Sequence, residues 1–441
     1  MSMRTQVEPA LSQQSTLRWT LAHRVAFRFC VLYFTLFCLS NQIFSSIFPI
    51  PKVDQPDLST LWPLRPIVIW TAQHLFRVKT QLLYPDSGSG DKTFDWVLSF
   101  CLLVIAFAGA VLWSAFDPKR PAYPTLQKWF RLFLRVALAS QMIAYGLVKI
   151  VPLQMSFPNL IKQLEPFGYQ SPMGILWASI GASPGYETFA GCAEFTGGLL
   201  LIFPRTVTVG ALVCLADMVQ VFMLNMTYDV PVKLFSFHLI LLSLLLLAPE
   251  SQRLLNFFLL NRAAEPSPPA PLFQSSRAKR IATAVLAFLW LWMLGNNIYG
   301  AWDGWHTYGG GRPKSPLYGI WNVDQMTVDG QLRPPLLTDN NRFRRIIFDF
   351  PDKVTFLPMD DSHVTDNVSI DSKLKTLAVT KSSDKNWKAN FAFNRPAPDQ
   401  LTLDGQMDGH KIHMQLRLMD NTKFLFANRG FRWIEEYPFN R

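Results

Sequence analysis

The chain has 441 residues, 49% of them hydrophobic and 14% aromatic, with a formal net charge of +11. That length suits two or three soluble domains, but the charge divides unevenly, +9 before Asp303 and +2 from there on. The basic excess lies in short segments between apolar runs, as in the cytoplasmic loops of a membrane protein, which argues against a nucleic-acid partner.

Taken in chain order, seven stretches are apolar and long enough to cross a bilayer, which needs roughly 17 to 25 residues. They are 29–48, 94–116, 132–151, 187–203, 207–226, 232–248 and 281–300. Proline or charge bounds most of them, as at Pro49, Asp117, Pro152, Pro204, Pro231 and Pro249. The first lacks an A-x-A cleavage pattern and exceeds a secretory core in length, so it reads as an uncleaved anchor. A shorter run, 67–76, carries Gln73 and His74 and reads as an interfacial or re-entrant helix. Ser87-Gly-Ser-Gly90-Asp91 is a turn before the second span, with Asp91 placed to cap it. Residues 263–276, AAEPSPPAPLFQSS, are a Pro/Ser-rich linker without capacity for a core. The expected organisation is a six-span helical domain over 1–262, a cytoplasmic linker over 263–280, a seventh helix over 281–302 and a polar domain over 303–441.

Basic residues set the orientation. Arg18, Arg24 and Arg28, then Lys119, Arg120, Lys128 and Arg131, then Arg205, then Arg253, Arg262, Arg277, Lys279 and Arg280 all fall on one side of seven spans. Taken as cytoplasmic, that side places the N-terminus inside and residues 303–441 outside the bacterial cytoplasmic membrane. Lys52, Arg65, Arg77, Lys79 and Lys92 lie opposite, diluted by Asp54, Asp57, Asp86 and Asp91. Gly309-Gly310-Gly311, after the last span, reads as a flexible hinge.

From about Pro316 the pattern turns from helix period to strand alternation. Candidate strands are 321–328, 343–350, 354–357, 363–370, 374–380, 401–406, 410–418 and 423–428, with alternating apolar residues at Trp387, Ala389, Phe391 and Phe393. Asp408-Gly409 signals a hairpin. The fold class is therefore a multi-span α-helical bundle with an all-β antiparallel C-terminal domain, a meander closed as a barrel or folded as a sandwich. Gly319-Ile-Trp321 looks like the G-x-W opening of lipocalin-type barrels.

Ionisable residues inside spans are costly and point to function. Glu187 and Glu194 are seven residues apart and share a helix face; Gln141, Tyr145 and Lys149 form a stripe at four-residue spacing. Asp217 and Asn225 lie on the fifth span, and Asp229, Lys233 and His238 around the start of the sixth. These residues predict a polar pocket between spans three and six. In it Glu194, Asp217 and Lys149 are the candidates for proton handling, and Gln141, Tyr145, Glu187, Asn225, Asp229, Lys233 and His238 for binding. The bland alternative is that Lys149, Asp229 and Lys233 are interfacial residues that snorkel or pair locally, and that the buried acids fix helix register. The five cysteines, Cys30, Cys38, Cys101, Cys192 and Cys214, lie within apolar runs and include no CxxC pair. No metal-ligand spacing occurs, and His410 and His413 would face opposite sides of a strand.

The stretch Gln141–Lys149 (QMIAYGLVK), the run from Glu194 through Gly197-Gly198 to Arg205, and Asn225–Lys233 resemble the DoxX-like membrane proteins of bacteria. The likeness covers about residues 132–249 and carries a G-x-x-K helix end at Gly146 to Lys149 and a Glu-x-x-Gly-Gly-x-x-Leu start at Glu194 to Leu201. It implies a four-helix membrane core linked to quinone or thiol redox, with a quinone as the candidate cofactor and the lipid bilayer or another membrane protein as partner. The absence of CxxC weighs against the thiol role. The alternative is a non-enzymatic binding or assembly protein whose β domain holds a lipid or protein partner.

Overall fold

The structure, a computed structural model, describes residues 18–50, 53, 55–85, 87–266, 272–381, 384 and 387–439. Lys52, Asp54, Asp86 and linker residues 267–271 lie outside the described residues. Helices are α1 (Leu21–Ser40), α2 (Gln42–Ile47), α3 (Leu64–His74), α4 (Thr93–Phe116), α5 (Pro124–Ile150), α6 (Pro172–Gly181), α7 (Pro184–Ile202), α8 (Val207–Thr227), α9 (Lys233–Leu247), α10 (Ser251–Phe258), α11 (Ser276–Thr307) and α12 (Leu425–Asn428). Strands are β1 (Gly319–Val328), β2 (Gln331–Leu332), β3 (Phe343–Phe348), β4 (Lys353–Pro358), β5 (Val364–Asp371), β6 (Thr376–Thr380), β7 (Lys388–Ala397), β8 (Gln400–Met407) and β9 (His410–Leu418).

Among the described residues six helical segments are long and apolar enough to cross a membrane: α1, α4, α5, α8, α11 and the continuous run Lys233–Phe258. The chain is a membrane protein. The stretch expected as a fourth span lies on α7, which is helical over 19 residues but not among the six. Glu187, Glu194 and the glycines Gly185, Gly191, Gly197 and Gly198 lower its apolarity. The run 67–76 lies on the 11-residue α3 with its end beyond the helix.

The chain forms two compact units, 1–147 with 191–299, and 148–190 with 300–441. In the first, α1 packs along α4, α3 against α4, and α8 along α9. Small residues on α7 set its spacing to both neighbours. A Cβ on Gly198 would stand 2.9 Å from Ile143 Cγ1 of α5, and one on Gly197 2.9 Å from Cys214 Sγ of α8. Backbones in lipid approach this closely only where no side chain intervenes. Arg28, expected as a flanking cation, is instead buried. Its guanidinium donates to Tyr123 OH (2.9 Å), Ser114 Oγ (2.7 Å) and the Asp117 carbonyl (2.6 Å). Arg131 and Arg253 clasp Glu250 at 3.2 and 2.6 Å, while Arg135 donates to the Ile202 carbonyl at 3.0 Å, satisfying an open carbonyl at the end of α7.

The second unit holds a closed eight-stranded antiparallel barrel. Strands β1 and β3 to β9 pair in sequence and β9 returns to β1, while β2 forms a short arm on β1. Alternate residues fill the interior, with Trp321, Met326, Ile346, Phe348, Leu403 and Met414 all within the packed core. Gly319 has φ +141°, and a Cβ there would meet Leu418 Cδ1 at 2.4 Å, so the first residue of β1 admits no side chain. Arg395 covers the Trp321 ring at 5.4 Å. Asp408 and Gly409 both take positive φ in the β8–β9 turn, as a type I′ hairpin requires.

Two expectations are overturned in this unit. Residues 423–428 form a helical turn ending in α12, not a strand. The β1–β9 pairing already closes the ladder and leaves no edge for another strand, and the Asp420 side chain accepts from Thr422 N to start a turn instead. The Gly309–Gly311 run is a close-packed collar, not a hinge. A Cβ on Gly310 would lie 2.5 Å from the Trp305 ring and one on Gly311 2.4 Å from Trp305 Nε1.

Candidate functional site

A cavity of the helical unit has a volume of about 730 Å³ and is lined by the end of α1, α2, the start of α4, the chain before α3, Tyr145 of α5 and the start of α9. That size is typical of a small-molecule site. Two clasps build its wall. The Gly90 amide donates to the Pro231 carbonyl at 2.8 Å, and the Asp91 carboxylate accepts from the amides of Lys233 (2.8 Å) and Leu234 (2.9 Å). Asp91 therefore caps α9, across 142 residues of chain, and not α4 as its neighbourhood in sequence suggested. The start of α4 is satisfied locally instead, by Asp95 Oδ2 accepting from Lys92 N at 3.0 Å. Open amides at a helix start take the carboxylate that reaches them, and α9 begins Val-Lys without an Asx, Ser or Thr of its own.

The cavity's hydrogen-bonding wall centres on Gln42. Its Nε2 donates to the Tyr145 hydroxyl at 2.7 Å and to Gln141 Oε1 at 3.3 Å. Gln141 is buried, and Tyr145 lines the cavity beside Phe235, the two rings 6.5 Å apart. Arg65 stands 5.4 Å from the Tyr84 ring, and both residues line the space. Phe37, Leu98, Leu234 and Phe235 supply apolar surface. A lining that combines hydrogen-bonding groups with apolar rings suits an amphipathic molecule.

The other expected site residues resolve into separate places. Glu194 is buried and Asp217 half-buried; both lie within electrostatic reach of Cys214, and neither lines the cavity. Asn225 donates to Ser236 Oγ at 3.0 Å, a buried tie between α8 and α9. Asp229, at φ +53°, pairs with Lys233 at 2.8 Å on the surface, the local pairing weighed as the bland alternative. His238 is buried, its Nε2 2.7 Å from Tyr33 OH and its ring stacked on Phe37 at 3.8 Å. Lys149 and Glu187 belong to the second unit and lie within electrostatic reach of each other. Glu187 is fully buried and accepts from Met155 N at 2.8 Å, fixing the chain after α5. Of the expected pocket residues Tyr145 is thus the one that lines the cavity, with buried Gln141 joined to it through Gln42. Sequence reasoning missed Gln42 and Tyr33 and assigned Asp91 to the wrong helix. Gln42 sits inside an apolar run, a signal that asked for a partner; Asp91 and Tyr33 carried no signal of their distant partners.

All five cysteines are free thiols. No His, Cys, Asp and Glu group capable of holding a metal occurs among the described residues. No family model matches the chain, and no solved structure matches it. Over 129 residues it is 31% identical to the uncharacterised protein YwoB of Bacillus subtilis strain 168, a match covering 29% of this chain and 79% of that protein. At that identity and coverage the chain belongs to the family of YwoB.

Proposed function

We propose that this chain is a DoxX-like protein of the bacterial cytoplasmic membrane that binds the polar head of a membrane-soluble redox carrier, a quinone being the class that fits. The observation that carries the reading is the cavity of about 730 Å³ with the hydrogen-bonded pair Gln42–Tyr145 in its wall, Gln42 also bonded to the buried Gln141. A quinone head is a flat ring with two acceptor carbonyls. The Gln42 amide and the Tyr145 hydroxyl are polar groups of the lining that suit such a carbonyl, and the aromatic walls take the ring. Supporting this are the motif likeness around Gly146–Lys149 and Glu194–Leu201 and the basic bias of one set of loops. That bias puts the N-terminus inside and the barrel outside, provided α7 crosses as well. The packed barrel interior gives no support to the alternative in which the β domain encloses a lipid.

The test is a fluorescence-quenching titration of the full chain in nanodiscs with a short-chain benzoquinone. Saturable quenching is expected, with Tyr145→Phe and Gln42→Leu each weakening affinity about tenfold, the loss of one good polar contact. Glu194→Gln should leave it within about twofold, because Glu194 does not line the cavity. Non-saturable quenching, or equal affinity in all variants, overturns the reading.

A further inference from the structure

The second unit contains a cavity of its own, about 330 Å³, to which the reading above assigns no role. It is built from the loop after α5, the collar after α11, the start of β1, the residue after β3 and the turn leading to α12. Its charged lining residues are Arg312, Lys314 and Asp349, one positive charge in excess.

Each is held differently. Asp349 is buried and fully engaged, Oδ1 accepting from Arg312 Nη2 at 2.8 Å and Oδ2 from the Leu160 amide at 3.0 Å. Arg312 is immobilised, its Nη1 donating to the Gly309 carbonyl at 3.3 Å and its guanidinium lying 4.3 Å from the Phe350 ring centre. The collar that packs on Trp305 fixes this arginine, because Gly311 N donates to the Trp305 carbonyl and Arg312 N to that of Gly309. Lys314 is exposed and stands 4.5 Å over the Tyr318 ring, with no carboxylate at ion-pair distance among the described residues. Asn159 Oδ1 accepts from Lys162 N, which turns the amide's oxygen to the backbone and leaves its NH₂ as a donor. Burial, and then Asp349, push the Tyr318 hydroxyl above its ordinary value, so it remains a donor at neutral pH.

We infer that this cavity is a binding site for a phosphate ester, with Lys314 and the Asp349-oriented Arg312 holding the phosphate and Phe157, Trp305 and Tyr318 walling the organic part. With Asp349 paired to Arg312, the lining keeps one positive charge in excess, which favours an anion. The volume exceeds the roughly 30 Å³ share of one water about tenfold, which is more than a bare ion fills and leaves space for a small substituent. The phosphate can come from a soluble ester or from the head of an anionic lipid.

The full chain in phosphate-free buffer separates these sources. One arm titrates sn-glycerol 3-phosphate calorimetrically in detergent. The other counts phosphatidylglycerol molecules retained by the detergent-extracted protein against phosphatidylcholine, by native mass spectrometry. Arg312→Gln leaves Asp349 buried without its cation and can unfold the unit, so Lys314→Met is the deciding variant; it removes an exposed charge and should melt with the wild type. Saturable binding of the soluble ester, weakened at least tenfold in Lys314→Met, supports the site with a soluble ligand. Retention of phosphatidylglycerol alone, lost in Lys314→Met, supports it with a lipid head. Binding of neither, or binding that Lys314→Met does not change, overturns it.

Discussion

Arg28 and His238 show what a polar residue inside an apolar helix requires. Arg28 is buried with three acceptors around its guanidinium, and the Tyr123 hydroxyl that receives it passes a hydrogen bond on to Asp117 Oδ2 at 2.9 Å. Replacing it by Met would remove the cation but leave the buried Tyr123 hydroxyl and the half-buried Ser114 and Asp117 carbonyl with fewer partners. The expected cost is about 2–4 kcal/mol, read as a fall in the melting temperature of the purified protein. Double substitution with Tyr123→Phe should cost less than the sum of the singles, because the two groups share one network; strict additivity would refute the network. His238 similarly answers to Tyr33. Neither pairing was legible in the sequence, since the partners lie 95 and 205 positions away and no local periodicity connects them.

At the scale of elements, legibility followed local constraint. The apolar stretches and the alternation of β1, β8 and β9 were readable because burial imposes a period on each element separately. Asp408-Gly409 was readable because the turn itself demands positive φ. The α12 segment was misread because Phe424 and Phe426 alternate with Lys423 and Leu425 as a strand would, and barrel closure elsewhere decided the outcome. Asp91 was misassigned for the same reason: proximity in sequence favoured α4, but folding brought it to α9. The cavity was half legible, since Gln141 and Tyr145 form a stripe in one helix while Gln42 comes from another. A direct consequence concerns the cap. Asp91→Ala should lower stability by about 1–2 kcal/mol, the usual range for a lost helix cap, and should also weaken quinone binding because the clasped loop is a cavity wall. Asp91→Asn, which keeps one acceptor oxygen for one of the two amides, should recover part of both. Equal losses in the two variants would mean that charge, not capping, is what matters.

At the scale of the molecule, two consequences belong to the barrel. Its surface carboxylates make stability pH-dependent. The His410 side chain and the Lys411 amide hold Asp329 below the usual carboxylate range, and Arg333 does the same for Asp339. A depressed folded value means that the stabilisation is complete above the unfolded value of about 3.9 and fades as pH falls through the folded value. The barrel's resistance to urea should therefore be flat near neutrality and drop below about pH 4, with Asp329→Asn and Asp339→Asn together flattening the acid limb. An unchanged limb in that double variant would assign the acid sensitivity elsewhere.

The second consequence is the side of the membrane on which the barrel stands, and it turns on α7. With six crossings both termini share a side; with α7 as a seventh they do not. A helix of 19 residues spans about 28 Å at 1.5 Å per residue, close to the roughly 30 Å hydrocarbon thickness. Its two glutamates are the cost of placing it there, and both are buried within the protein instead of facing lipid, the arrangement that makes intramembrane acids tolerable. The seven-crossing arrangement therefore predicts an exposed barrel turn outside and the segment after α9 inside. In a background with the five cysteines replaced, Asp408→Cys should react with a membrane-impermeant maleimide on spheroplasts, and Arg253→Cys only after lysis. The reverse pattern would place the barrel inside, as six crossings without α7 require when the N-terminus is inside; because α11 lies between the two positions, labelling of both only after lysis would mean that α11 does not cross.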